Sequence, residues 1–180
     1  MNARRLTAIL TALALLAGLG GAARASLAKR MTLEQLAGRS ERVVMARLIE
    51  RHSAWGPEHK RIWTRLRFAV ERDVAGGGAA ELTVVQPGGT VGRWTQRVAG
   101  YPRFAEPGPV LLLLRRGRVG WQVVGMCQGV FGLHRDQGRE LLVQRLAGLD
   151  FHGDPGRPLI LEREQALARI RAVFDRGAQP

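Results

Sequence analysis

RIWTRLRFAVERDV, residues 61–74, is the stretch from which the fold is read. Ile62, Thr64, Leu66, Phe68 and Val70 occupy every second position, and Trp63, Arg65, Arg67, Ala69 and Glu71 lie between them. Successive side chains of an extended strand point to opposite faces, so this spacing predicts a long antiparallel strand, buried on one side and wet on the other.

The flanking segments carry similar signals. Upstream, Thr32 and Gln35 have capping-box spacing and Gly38 suits the residue past a helix end, which predicts a short helix over 32–38. RVVMARLI (42–49) reads as a strand, followed by a loop at Trp55-Gly56-Pro57. Downstream, Gly76-Gly77-Gly78 breaks the long strand, ELTVVQ (81–86) is the next, and Pro87-Gly88-Gly89 turns the chain. The glycine-rich run 88–92 lacks the Gly-Lys-Ser/Thr of a phosphate loop and is read as a turn. GRWTQRV (92–98) is a weaker strand with Trp94 as its anchor, and VLLLL (110–114) is a strand covered on both faces. Strands at 121–126, 128–134 and 140–146 follow, the last two joined at Asp136-Gln137-Gly138. Ala166, Leu167, Ile170, Val173 and Phe174 have helical spacing and predict a terminal amphipathic helix over 162–174. The expectation is a mostly-β single domain of six to eight short strands, an OB-like antiparallel β-barrel with a short N-terminal helix and a C-terminal amphipathic helix.

The first residues bear on location. Arg4 and Arg5 precede an uncharged apolar run, Leu6 to Leu19, and Ala23-Arg24-Ala25 has the A-x-A form of a cleavage site. A signal peptide over 1–25 is expected, with Ser26 as the mature N-terminus and the protein exported to the periplasm or beyond. The run is shorter than the roughly 20 residues a membrane span needs. Residues 26–180 suit one domain burying roughly 70% of its unfolded surface, expected as a monomer.

Charge invites a nucleic-acid reading. The net charge is +13, and losing the three leader arginines lowers it to +10. Of 28 basic residues only Lys29 and Lys60 are lysine, the skew a GC-rich coding sequence produces whatever the function. The arginines are scattered over outward strand positions, so a solvated polar face is the simpler reading and nucleic acid an unlikely partner.

ERVVMARLIE, IWTRLRFAVERDVAGG, LTVVQPGG, YPRFAEPGPVLLLLRR and VVGMCQGVF, in that order, resemble small exported bacterial domains of the netrin-like group. The shared pattern includes Thr64, Phe68 and Val70, a turn at Phe104 and Gly108, and Cys127 with Gly129, and it spans about 32–133. The resemblance implies the OB-type barrel of the tissue inhibitors of metalloproteinases and an exported, non-enzymatic module. Two departures narrow it. The late cysteine of disulfide-bearing members pairs with an earlier one, whereas Cys127 is the single cysteine here, with Gly88 and Gly89 where a partner would lie. The inhibitors reach a protease metal through an N-terminal cysteine, and the expected first residue here is Ser26, so inhibition by that route is not implied.

Candidate chemistry is sparse. Cys127 would be a reactive thiol only if a base met it, His52, His59, His134 or His152; a cysteine in an apolar strand is more simply a small buried hydrophobe. Asp150, His152 and Asp154 alternate as metal ligands can, as do His52 and His59 around Glu58, but the glycines and prolines near 153–156 favour a surface turn, and no metal or cofactor is expected. The aromatics Trp55, Trp63, Trp94, Tyr101 and Trp121 are more informative, because OB-type barrels stack extended polymers on aromatics in basic grooves. Trp63, Arg65, Arg67, Arg93 and Trp94 are the candidate binding residues, against the alternative that the terminal helix covers Trp63. The expected function is a non-catalytic binding module for an unknown protein or anionic polymer. Two alternatives are a polyanion or single-stranded nucleic-acid binder at that face and a thiol-dependent enzyme at Cys127.

Overall fold

The computed structural model describes residues 26–104, 108–146, 149–151 and 156–177; the expected signal peptide lies outside them. In chain order these form β1 (Ser26–Ala28), α1 (Leu33–Ala37), β2 (Arg42–Trp55), β3 (Ile62–Ala75), β4 (Glu81–Pro87), β5 (Gly89–Val91), β6 (Trp94–Gln96), β7 (Pro109–Gly117), β8 (Gly120–Val123), a 3-10 turn (Met126–Gly129), β9 (Val130–Asp136), β10 (Arg139–Gln144), β11 (Leu149–Phe151), β12 (Ile160–Glu162) and α2 (Arg163–Gly177). The protein is mostly β, with one short helix near the start and one at the end. Among the described residues no helix is long and apolar enough to cross a membrane.

Eight strands form one sheet in the order β12-β10-β9-β7-β2-β3-β4-β8. β7 also pairs with β8, so the pairings β2–β3–β4–β8–β7–β2 form a ring. Its weakest link is β4–β8, which is parallel and rests on Val84 opposite Trp121; the others are antiparallel. β7 explains its own sequence. One edge pairs with β2, the other is shared between β9 and β8, and Val110 through Leu114 are all buried. A strand with neighbours on both edges and cover on both faces has no position for a polar side chain.

Alternate residues of β7 and β2 serve two cores. Leu111, Leu113, Val43 and Met45 pack with Leu33 and Leu36 of α1 and Leu167 and Ile170 of α2. Val110, Leu112, Leu114, Val44 and Ala46 pack with Leu66, Phe68, Leu82, Val84 and Phe104, the two phenyl rings edge to face at 5.1 Å. β3 alternates as its sequence predicts, with Ile62, Thr64, Leu66 and Phe68 buried and Trp63, Arg65 and Arg67 exposed. The alternation then slips: Ala46 pairs with Val70 but Met45 pairs with Arg72, leaving Glu71 extra. Such a bulge swaps the faces that follow it. Arg72 therefore reaches Glu164 on α2, and Val74 joins the helix-side core.

The predicted capping box is present at Thr32 and Gln35, though Gly38 takes a right-handed conformation, φ −66°. α2 starts one residue later than predicted, because Glu162 ends β12 and its carboxylate accepts from the Gln165 N–H at 2.9 Å. Several predicted elements need correction. The strands predicted over 121–126 and 128–134 are separated by the 3-10 turn Met126–Gly129, so β8 stops at Val123 and β9 starts at Val130. β2 runs six residues past Ile49, carried by its pairing with β3 after apolar patterning has stopped. The 88–92 turn contains β5, and the 92–98 strand shrinks to β6, the two forming a hairpin. Trp94 at its tip is 57% exposed and anchors nothing in the core.

Of the four buried polar residues among those described, Arg42, Thr64, Gln128 and Gln144, one is charged. Arg42 is 2% exposed; its Nε and Nη2 donate to the two Asp73 oxygens at 2.9 and 2.8 Å, and Nη2 also donates to the Ala79 carbonyl at 2.8 Å. The Gly76–Gly78 break thus lies over a guanidinium, and a Cβ on Gly78 would sit 2.7 Å from Arg42 Cζ. A buried cation stripped of its carboxylate is left uncompensated, so Asp73→Ala should lower stability by about 3 kcal/mol in urea unfolding, the lower end of the range because Asp73 is partly exposed. Ala at the exposed Asp136 should change it by less than about 0.5 kcal/mol.

Candidate binding groove

The structure keeps three of the five candidate residues on one face and places two elsewhere. Trp63, Arg65 and Arg67 line the outward side of β3. The alternative that the terminal helix covers Trp63 is overturned: the residue is 36% exposed and its indole lies by Gly56 in the β2–β3 loop, while α2 packs on α1 and the far end of β3. Arg67 is paired twice, with Glu50 at 2.7 Å and Glu81 at 3.0 Å, and those hydrogen bonds raise its pKa further above the ordinary arginine value. Its charge is therefore locally balanced. Arg93 and Trp94 sit together on the β5–β6 hairpin, the guanidinium 5.2 Å from the indole centroid. That hairpin is fixed to the Thr64 side of β3, the face opposite Trp63.

On the Thr64 side lies a groove of about 520 Å³. Its floor is β2 and β3 beyond a second bulge. Leu48 pairs with Phe68 and Glu50 with Arg67, so Ile49 is extra, and past it the odd-numbered residues of β2 face inward. Arg51 and Ser53 are turned into the groove in this way, opposite Leu66 and Thr64. Thr64 donates to the Gly88 carbonyl at 2.5 Å, so the 2.8 Å contact between Ser53 and Thr64 must be donated by Ser53, leaving the Ser53 lone pairs toward the groove. Gly89 passes so close to both hydroxyls, at φ +138°, that a Cβ would collide with them. The Ile62 N–H donates to Gln96 Oε1 at 2.7 Å and ties β6 to the same floor.

The opposite wall is the segment 97–104, which crosses β4 as a strap. Gln86 Nε2 donates to the Pro102 carbonyl at 3.1 Å, Arg51 Nη2 to the Phe104 carbonyl at 2.6 Å, and the Cys127 N–H to the Gly100 carbonyl at 2.8 Å. Arg97 and Arg103 on the strap are exposed, and the described lining holds three arginines and no carboxylate. Gln86 Oε1 is buried and has no hydrogen-bond partner among the described residues. The Pro102 carbonyl fixes which amide atom is which, because flipping the group would set two oxygens face to face. Beyond the strap a second cleft of about 240 Å³ shares Gln86, Tyr101 and Pro102 and adds Arg39 and Arg115. Arg51, Arg97 and Arg103 were not among the sequence candidates. The alternation Arg51, Ser53, Trp55 is a signal for Arg51 alone, out of phase with 42–48, and no sequence pattern marks Arg97 or Arg103.

Cys127 lies in the 3-10 turn between β8 and β9, 1% exposed, against Leu149, Phe151, Ala28, Met126 and Leu146. His52, His59 and His134 are all exposed, and His152, Asp154 and the Asp150 side chain lie outside the described residues. Among the described residues no group of three or more His, Cys, Asp or Glu is placed to hold a metal.

No family model, curated protein or solved structure matches the chain significantly. The site therefore stands on its geometry. Burial pushes the Cys127 thiol up from an ordinary value of 9.0 to about 11. Below pH 9 both states keep the proton; between 9 and 11 the unfolded chain sheds it while the native chain holds it, so stability falls across that window, by at most about 3 kcal/mol. Cys127→Ala should flatten that part of the pH–stability curve in urea unfolding. A thiol reagent at pH 8 should label Cys127 in urea and leave the native protein unlabelled.

Proposed function

We propose that the protein is an exported, non-catalytic binding module on an OB-like barrel, acting as a monomer in the periplasm or outside the cell. It holds an extended partner in the groove between the β2–β3 floor and the 97–104 strap. The observation that carries this reading is the groove's lining of three arginines without a carboxylate among the described residues. Clustered like charge in a concave site costs stability unless a ligand of opposite charge uses it. The barrel reading is supported by the ring β2–β3–β4–β8–β7 with its parallel β4–β8 step, and OB-type folds bind on a strand face and its bordering loops. The apolar leader and the netrin-like order of motifs support export and the lack of catalysis.

A second reading, a polyanion or single-stranded nucleic-acid binder on the Trp63 face, is favoured by an exposed indole beside an exposed Arg65. It is the weaker of the two, because Arg67 is already paired and Arg93 and Trp94 are on the opposite side.

The groove is tested by placing a photo-crosslinking residue at Thr95, on its rim, or at Arg135, on β9. The expected result is a defined envelope or extracellular component joined to the Thr95 probe and not to the Arg135 probe, lost when Ser53→Trp fills the groove. Equal labelling from both positions, or labelling that survives Ser53→Trp, refutes the groove as the contact surface.

A further inference from the structure

We infer that the ligand of the groove is an acidic peptide segment, bound extended across the strap so that its carboxylates meet arginines on both sides. This rests on the groove being the contact surface. Taken together, the two clefts flanking Tyr101 and Pro102 are lined by Arg39, Arg51, Arg97, Arg103 and Arg115, and the described lining of both contains no Asp or Glu. Arg51 uses one N–H on the Phe104 carbonyl; the side chains of Arg39, Arg97, Arg103 and Arg115 make no ion pair or side-chain hydrogen bond among the described residues. Elsewhere Arg42, Arg47, Arg67, Arg72, Arg135, Arg163 and Arg169 have carboxylate partners, while Arg65, Arg118 and Arg139 are exposed and make no ion pair among the described residues. Five arginines and no described carboxylate thus flank one strap.

Three further features select a peptide over other polyanions. Gln86 Oε1, in the wall common to both clefts, is a buried acceptor that needs a donor, and a peptide supplies backbone N–H groups every residue. Nucleic acid and many polysaccharides are held by stacking on aromatic faces. The lining offers Tyr101 and the edge-packed, 6% exposed Phe104, while the open indoles Trp63 and Trp94 are outside it. Guanidinium groups also match carboxylates bidentately, which a run of spaced side chains along an extended chain can exploit in turn.

The probe is a fluorescein-labelled octaglutamate peptide, followed by anisotropy at low salt with the protein carrying residues 26–180. Binding should weaken at least tenfold in the double variant Arg97→Glu, Arg103→Glu, and should change less than twofold in Arg118→Glu, an exposed arginine at the β7–β8 turn outside both clefts. Both sites are on the surface, and far-UV circular dichroism checks that the variants fold. Octalysine should not bind. The inference is overturned if Arg118→Glu weakens octaglutamate as much as the strap double variant does, which would mean bulk charge alone. It is equally overturned if octaglutamate does not bind, or if oligo-dT or a sulfated glycan of equal charge binds more tightly and loses that binding in the strap variant. If the Thr95 probe still captures its partner while octaglutamate neither binds nor competes, the groove stands and the acidic-peptide assignment falls.

Discussion

Everything in this fold is arranged around the saturation of β7. Its backbone is paired on both edges and its five consecutive apolar residues are buried on both faces, so a core must form on each side of one strand. Helices α1 and α2 supply one cover. The sheet itself, bending through β3, β4 and β8, supplies the other. Burying a leucine of this kind is worth about 2 kcal/mol, so the run contributes more than any ion pair on the surface, where a pair is worth about 0–1 kcal/mol.

The bend is made by β2 and β3, strands of 14 residues each, too long to lie flat over a core of this size. The register between them shifts at three places, and two of these shifts divide the work. The extra Glu71 sends the end of β3 toward the helices, and the extra Ile49 sends the outer half of β2 toward the groove. Core and groove are therefore built from the same two strands, with the change of direction located at single residues.

The parts legible in the sequence are those where one physical signal acts alone. Alternation placed β3, continuous apolarity placed β7, capping residues placed α1, and Asp136-Gln137-Gly138 turned β9 into β10, with Gln137 and Gly138 both at positive φ. Signals failed where backbone pairing outlasted patterning. RHSAW (51–55) is polar yet extended because β3 lies beside it, and no local preference announces that partner. The bulge at Ile49 then inverts parity, so Arg51 reads as an outward residue from its distance to Val44 and Ala46, although it points inward. Arg97 and Arg103 were hidden for another reason: the strap has no period, and its course is set by three hydrogen bonds to residues far away in sequence. Conversely, the Trp63, Arg65 and Arg67 stripe was legible, but the carboxylates that balance Arg67 lie 17 and 14 residues away.

The shelter around Cys127 also sets an order of events in time. Its cover comes from Ala28 near one end of the described chain and from Leu149 and Phe151 near the other, and the parallel pairing of Ser26 with Leu149 joins them. Contacts so distant in sequence form slowly, after local hairpins such as β9–β10. Until they close, the sulfur is an ordinary accessible thiol; afterwards it is inert. Were the chain to fold in an oxidising compartment, folding would be a race between chain closure and oxidation of one atom, and molecules that lost it would be marked by the cross-links they carried.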